Sequence, residues 1–146
     1  MRIRTPGRRA ATAVETALIL LPLMVVSCGI LEYGRFLMHY NLLNNAAREG
    51  CRFALVNNTD PTINAEVQAV VNQFMAGQSA DFTNFTVTVT GTHQGVLTPV
   101  NNLVAGDMIT VTVSGKYQFM GVVPVAYVPT TVTLTSAVVM ICEGVT

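Results

Sequence analysis

One acid in this chain lies where an acid is costly. Glu15 is the only ionisable side chain between Ala10 and Leu31, a stretch otherwise made of apolar and small residues. A carboxylate inside an apolar, lipid-length helix costs on the order of 2.5–3.5 kcal/mol at the bilayer centre and less toward its edge, so it needs a cation. Two sources are within reach. Arg8 and Arg9 precede it directly, and a cut between Ala10 and Ala11 would create an amino group four residues before it, on the same helix face. The other chemistry-bearing residues are sparse. Cys28, Cys51 and Cys142 have no metal-ligand or redox spacing, and His39 and His93 are too far apart in sequence to suggest a zinc site or a Cys-His nucleophile. Ser79, Ser114 and Ser136 have no histidine and acid recognisably arranged around them, so the pattern argues against an enzyme and calls for no cofactor. Cys51 and Cys142 fit two readings. They are two small buried thiols, or an exported disulfide that closes a loop of roughly 90 residues and contributes about 2–4 kcal/mol.

The element that must position Glu15 is a membrane-spanning helix. Of 146 residues 51% are hydrophobic and only 11% charged, and the apolar excess is concentrated from Ala10 to Leu31. About 22 residues at 1.5 Å each match the ~30 Å hydrocarbon core. The formal net charge of zero conceals an asymmetry: Arg2, Arg4, Arg8 and Arg9 precede the span, and from Ala11 onward four basic residues face eight acidic ones. The positive-inside rule then predicts a cytoplasmic leader over residues 1–10, a transmembrane helix over 11–31 and an exported domain over 32–146. An acidic exported domain gives no reason to expect nucleic acid. Pro22 within the span predicts a local kink or loosened turn.

Helical periodicity continues past the membrane. Tyr33, Leu37, Tyr40, Asn44, Ala47, Cys51 and Ala54 recur at alternating steps of four and three, with Phe36, Leu43 and Leu55 alongside, and Arg35, His39, Asn45, Arg48, Glu49 and Arg52 lie mostly on the face expected to be solvated. The helix is expected from Ala11 to Val56, ending at the turn residues Asn57 to Pro61. A second helix is expected from Pro61 or Thr62 to Met75, capped by Asp60, ended by Gly77 and carrying the stripe Ile63, Val67, Val70, Val71 and Phe74. The period then changes to two. Phe85, Val87 and Val89, then Ile109, Val111 and Val113, then Val132, Leu134, Val138 and Met140 alternate largely with threonines and small residues and predict three half-buried strands. Gly91 to Gly106 reads as a polar loop and Met120 to Pro129 as an apolar one that folds back or meets a partner. The expected fold class is α+β: a long N-terminal transmembrane helix, one short helix, and a small, mostly antiparallel three-stranded sheet packed on the first helix through Ala46, Ala47 and Gly50.

Four stretches, in order, resemble a known family. The leader Arg8-Arg9-Ala10-Ala11-Thr12-Ala13-Val14-Glu15, the membrane exit Glu32-Tyr33-Gly34-Arg35, the segment Ala46-Ala47-Arg48-Glu49-Gly50-Cys51-Arg52-Phe53-Ala54 and the strand opening Gly106-Asp107 are similar to the TadE-like proteins of tight-adherence (Tad) pilus systems. The resemblance implies a minor pseudopilin in the bacterial cytoplasmic membrane. It also implies assistance in assembling an adhesive pilus or secretion apparatus, with other pilin-like subunits, the assembly machinery and a prepilin peptidase as partners. Ala10 and Ala11 would flank the peptidase cut and Glu15 would be the fifth mature residue, although Ala10 stands where pilin-type leaders carry glycine and Thr16 where an aromatic often follows the glutamate. A rival anchor is lipidation at Cys28, since Val25-Val26-Ser27-Cys28 is an acceptable lipobox. That reading would make the protein a cell-envelope lipoprotein unrelated to pili.

Overall fold

The computed structural model describes residues 7–120 and 130–142, with side chains of the first helix from residue 10 onward. Arg2, Arg4, Glu143 and residues 121–129 of the expected apolar loop lie outside the described residues.

Helix α1 is one unbroken rod, Gly7–Val56, with Pro22 inside it. At 1.5 Å per residue it is about 75 Å long. It begins a turn earlier than its sequence pattern predicts and ends at the expected residue, where Asn57 turns the chain by donating to the Phe53 carbonyl from both backbone (3.2 Å) and side chain (3.1 Å). Asp60 then organises the next start by accepting the Thr62 N–H at 2.7 Å. Helix α2 runs Ile63–Phe74 and buries Ile63, Val67 and Val71. Phe74, expected on that stripe, is exposed. The chain leaves the helix there, and Met75 fills the core in its place.

Among the described residues four antiparallel strands follow, β1 (Phe82–His93), β2 (Val96–Thr98), β3 (Met108–Gln118) and β4 (Thr131–Ile141), in the order β2-β1-β3-β4. The expectation of three strands is therefore corrected to four. The additional strand, β2, lies within the stretch read as a polar loop. Gln94 (φ 47°) and Gly95 (φ 85°) form a two-residue turn that pairs His93 with Val96. Positive φ at both central residues matches the twist of a tight hairpin. Three residues are too few for alternation to register.

The core lies between the sheet and the two helices. Ile109, Val111, Val113 and Tyr117 of β3 are fully buried on the inner face, and Leu134 of β4 joins them. The outer face carries the threonine ladder, with Thr86 and Ser114 hydroxyls 2.7 Å apart across the strands. On α1 the small residues Ala46, Ala47, Gly50, Cys51 and Ala54 face inward, as expected. Gly50 is where the layers are tightest: a Cβ there would lie 2.7 Å from Val71 Cγ2 on α2 and 3.5 Å from Val111 Cγ1 on β3.

The buried stripe of α1 corrects the predicted one at its lower end. Tyr33, Leu37 and Tyr40 are exposed, whereas His39 turns toward the sheet beside Phe36 and Leu43, the two flanking positions expected to lie alongside the stripe. Steps alternating between four and three have a period of 3.5, and a straight helix drifts about 20° per heptad against that period. Over the three heptads from Tyr33 to Ala54 the discrepancy is enough to exchange one column of side chains for its neighbour. His39, expected on the solvated face, is consequently only 2% exposed.

Candidate functional site

Among the described residues nothing covers the lower half of α1. Leu18, Leu21, Leu23, Ile30 and Leu31 are each more than 60% exposed, and the most apolar 18-residue window has a mean hydropathy of 2.2 with none of it buried. A core helix of a water-soluble protein would be covered. A bare apolar helix of this length fits a single-pass membrane anchor. Thr16 and Ser27 hydroxyls donate to the Thr12 and Leu23 carbonyls (2.8 and 2.9 Å), so these two hydroxyls are satisfied within the helix. Ala10, Ala11 and Glu15 are all exposed on consecutive turns of this rod. The helix also passes through Cys28 without interruption.

Beyond the bare apolar stretch, α1 meets the nearer end of the sheet in a cluster of charges and rings. Glu32 accepts the backbone N–H of Met120 at 3.0 Å and the Tyr117 hydroxyl at 3.4 Å, pinning the end of β3 to the helix just past its bare apolar stretch. One turn later Phe36 stacks on Phe119 and meets Tyr117 edge-on, with centroids 6.1 and 6.0 Å apart. His39 lies against Tyr117 (5.0 Å) and Phe82 (5.5 Å). Its Nδ1 is 2.9 Å from the Arg35 carbonyl and its Nε2 3.1 Å from Asp81 in the turn before β1. Burial pushes the Tyr117 hydroxyl above its ordinary range; Arg35 opposes that shift and Glu32 and Asp81 reinforce it. The Glu32-Tyr33-Gly34-Arg35 stretch thus has a structural task in which Glu32 holds a strand end and Arg35 lends its carbonyl to His39.

The far end of the sheet is tied by the Gly106-Asp107 pair. Gly106 has φ 93°, a conformation side chains avoid, and its N–H donates to the Cys142 carbonyl at 2.8 Å. The Asp107 carboxylate accepts the Val104 N–H at 2.8 Å and lies 2.6 Å from His93 Nδ1. The Val104 hydrogen bond holds its pKa below the usual carboxylate value, against an opposing desolvation and with help from His93.

Cys51 and Cys142 are both buried thiols. Cys51 donates to the Ile109 and Val138 carbonyls at 3.5 and 3.7 Å, whereas Cys142 receives the Asn58 amide at 4.0 Å, two helical turns farther along. Burial raises the pKa of each. Among the described residues no three His, Cys, Asp or Glu side chains gather in a way that could hold a metal ion. The described site is an anchor and a junction that Glu32 and His39 tie together, while Arg35 Nη1 is buried there with no hydrogen-bond partner among the described residues.

Sequence reading finds the span, the lone acid and the Gly-Asp opening. It misses the Glu32–Tyr117 and His39–Asp81 contacts, because partners 85 and 42 residues apart leave no local signal.

Comparison with known proteins agrees with the resemblance. The family model described as TadE-like protein matches residues 10–52, all of them within α1. No curated protein and no solved structure matches.

Proposed function

We propose that this chain is a membrane-anchored, non-catalytic, pilin-like subunit, a minor pseudopilin that assists assembly of a Tad-type adhesive pilus or secretion apparatus. The observation that carries the reading is the coincidence, on one helix, of the TadE-like match over residues 10–52 with a bare apolar span holding a single acid at Glu15. In this reading the arginine-rich leader stays in the cytoplasm, α1 crosses the cytoplasmic membrane, and the α+β domain is exported. A prepilin peptidase cuts between Ala10 and Ala11, and the amino group released pairs with Glu15 of the same or a neighbouring subunit. The partners are the bilayer, other pilin-like subunits and the assembly machinery. No step of this role requires a cofactor.

Mass spectrometry of the protein extracted from membranes tests the processing. A mature N-terminus at Ala11 supports the pilin-like reading, intact Met1 means an uncleaved anchor, and acylated Cys28 means a lipoprotein of the cell envelope. Glu15→Gln should leave the protein in the membrane and abolish its contribution to surface pili. Unchanged piliation with the variant would remove the assembly role of the acid.

A further inference from the structure

We propose that α1 leans beyond its bare apolar stretch, laying the outward face of its next two turns, Tyr33, Leu37, Met38 and Tyr40, in the headgroup layer of the bilayer on the exported side. The inference rests on the membrane anchoring of α1 and fixes how the exported domain sits on its anchor. A helix packed on a sheet in water turns apolar residues inward and charges outward. Over these two turns the charges of α1 point inward instead. Glu32 faces Tyr117 and Met120, His39 faces Asp81, and Arg35 buries its Nη1, while Tyr33, Leu37, Met38 and Tyr40 are 62, 39, 51 and 42% exposed. No exposed residue of the helix from Thr16 to Ala47 carries a charge. The outward face passes from aliphatic residues through two tyrosines to Asn41 and Asn45, and only then to Arg48 and Arg52.

Continuity, chemistry and charge together say what covers this face. It belongs to the same unbroken helix as the bare stretch, so its lower edge is already in lipid once α1 is anchored. Tyrosine joins an apolar ring to a hydroxyl, the combination that the headgroup layer takes up. The direction of the lean is set by the charges at the near end of the sheet. Asp81 is half exposed and Lys116 is exposed there, so a lean toward the sheet would press both into lipid, whereas a lean away from it submerges no charge. The segment between residues 120 and 130 begins and ends on the sheet side of α1, where Glu32 holds Met120 and the Phe119 N–H donates to the Thr130 carbonyl at 3.0 Å.

Length decides how far the helix must lean. From Leu31 to Tyr40 the rise is ~13 Å, whereas the headgroup layer is only ~5–8 Å deep on each side. An upright rod would lift the Tyr40 ring clear of it. A lean of ~40°, the upper end of what membrane helices adopt, cuts the rise to ~10 Å, and a side chain on the underside of a rod ~5 Å in radius hangs ~3 Å lower still. Tyr40 then reaches the outer limit of the headgroup layer with Tyr33, Leu37 and Met38 below it, and the sheet rides on the upper side.

The test uses the full-length protein in phosphatidylcholine nanodiscs at one copy per disc. The chain contains no tryptophan, so Tyr40→Trp, Thr133→Trp on the outer face of the sheet and Leu21→Trp in the bare stretch each supply a single emitting ring. Lipid carrying a nitroxide on its headgroup should quench Tyr40→Trp about twofold or more and leave Thr133→Trp unchanged, while aqueous iodide should do the opposite. Adding Leu37→Asp and Met38→Asp to Tyr40→Trp should release its ring to iodide without moving the urea midpoint, since both side chains are exposed. Iodide quenching of Tyr40→Trp equal to that of Thr133→Trp would mean that the domain stands off the bilayer and would overturn the proposal. Shielding of Tyr40→Trp from both quenchers would show the face covered by the chain's own residues and would overturn it too, as would lipid quenching that requires two copies in one disc. Leu21→Trp should be quenched by lipid labelled in its acyl chain whatever the lean. Failure there would remove the anchor itself, whereas failure at Tyr40→Trp alone removes only the lean, and neither readout depends on piliation.

Discussion

The two halves of α1 obey opposite rules on one continuous backbone. From Ala10 to Leu31 its large aliphatic side chains are bare, and from Leu43 to Ala54 its small residues are sealed against β3, β4 and α2. Chain geometry is the same in both, so the difference lies in what surrounds them. Large side chains in the lower half suit lipid, which conforms to any shape and rewards apolar area. Alanine, glycine and cysteine in the upper half suit a folded sheet, which does not conform and admits a helix only where the helix is thin. The hand-over occurs over the two turns from Glu32 to His39, where hydrogen bonds and stacked rings replace both.

If that contrast is right, identical substitutions should have unequal effects. Leu43→Ala, at a residue 1% exposed inside the core, should destabilise the domain by about 2–5 kcal/mol, read as a lowered urea midpoint in detergent. Leu21→Ala, in the bare half, should leave that midpoint unchanged. Equal losses at the two sites would break the comparison. A charge should reverse the order. Leu21→Arg should cost about 2.5–3.5 kcal/mol of insertion and move the protein from the carbonate-resistant to the extractable fraction. The same change at exposed Asn45 in the upper half should do neither.

Gly50 sharpens the claim that thinness admits the sheet. Gly50→Ala gains up to about 1 kcal/mol of helix propensity, but its Cβ would meet Val71 Cγ2 at 2.7 Å. Overpacking of that kind costs about 1–3 kcal/mol, so a net loss of about 1 kcal/mol is expected in the unfolding free energy. Val71→Ala combined with Gly50→Ala should recover part of the loss relative to the sum of the single changes. Strict additivity would mean that the close approach at Gly50 is not what limits the packing.

How much of this was legible from residues alone follows the same division. The span announces itself because lipid asks only for length and apolarity. The alternating threonines reveal three strands because one face is wet, and Ala46, Ala47 and Gly50 mark the helix face that meets the sheet. What the sequence left hidden depends on phase and distance. The helical stripe drifted by one column below Leu43, which buried His39 and freed Tyr33, Leu37 and Tyr40. The strand β2 was too short to alternate, and its turn rests on a non-glycine residue, Gln94, at positive φ. Glu32 reads as a charge at a membrane exit, and only the fold reveals Tyr117 and the Met120 amide beside it. Ala10, Ala11 and Glu15 lie on α1, which takes in the end of the expected leader, and their processing and pairing are matters for the experiments above. A Cys51–Cys142 bridge is likewise a proposal for the exported protein, to be decided by counting thiols before and after reduction.

The smallest effect separates the two halves by acid. The Asp107 carboxylate is held below its usual pKa first by the Val104 N–H and then by His93, while desolvation opposes them. A depressed folded pKa means that the unfolded chain binds the proton more readily. The contribution is therefore fully present above the unfolded value of about 3.9 and is lost as pH falls through the lower folded value. Domain stability should decline over that acidic window, loosening the end of the sheet where Gly106 and Cys142 close the chain. Asp107→Asn cannot be ionised, so its stability should be lower at neutral pH and its slope below about pH 4 shallower, measured by urea unfolding at stepped pH. The span has no part in this contact, and membrane retention of both proteins should be unchanged across the window. If acid released the protein from the bilayer at the pH that loosens its domain, the anchor would depend on the folded sheet and the independence of the two halves of α1 would be wrong.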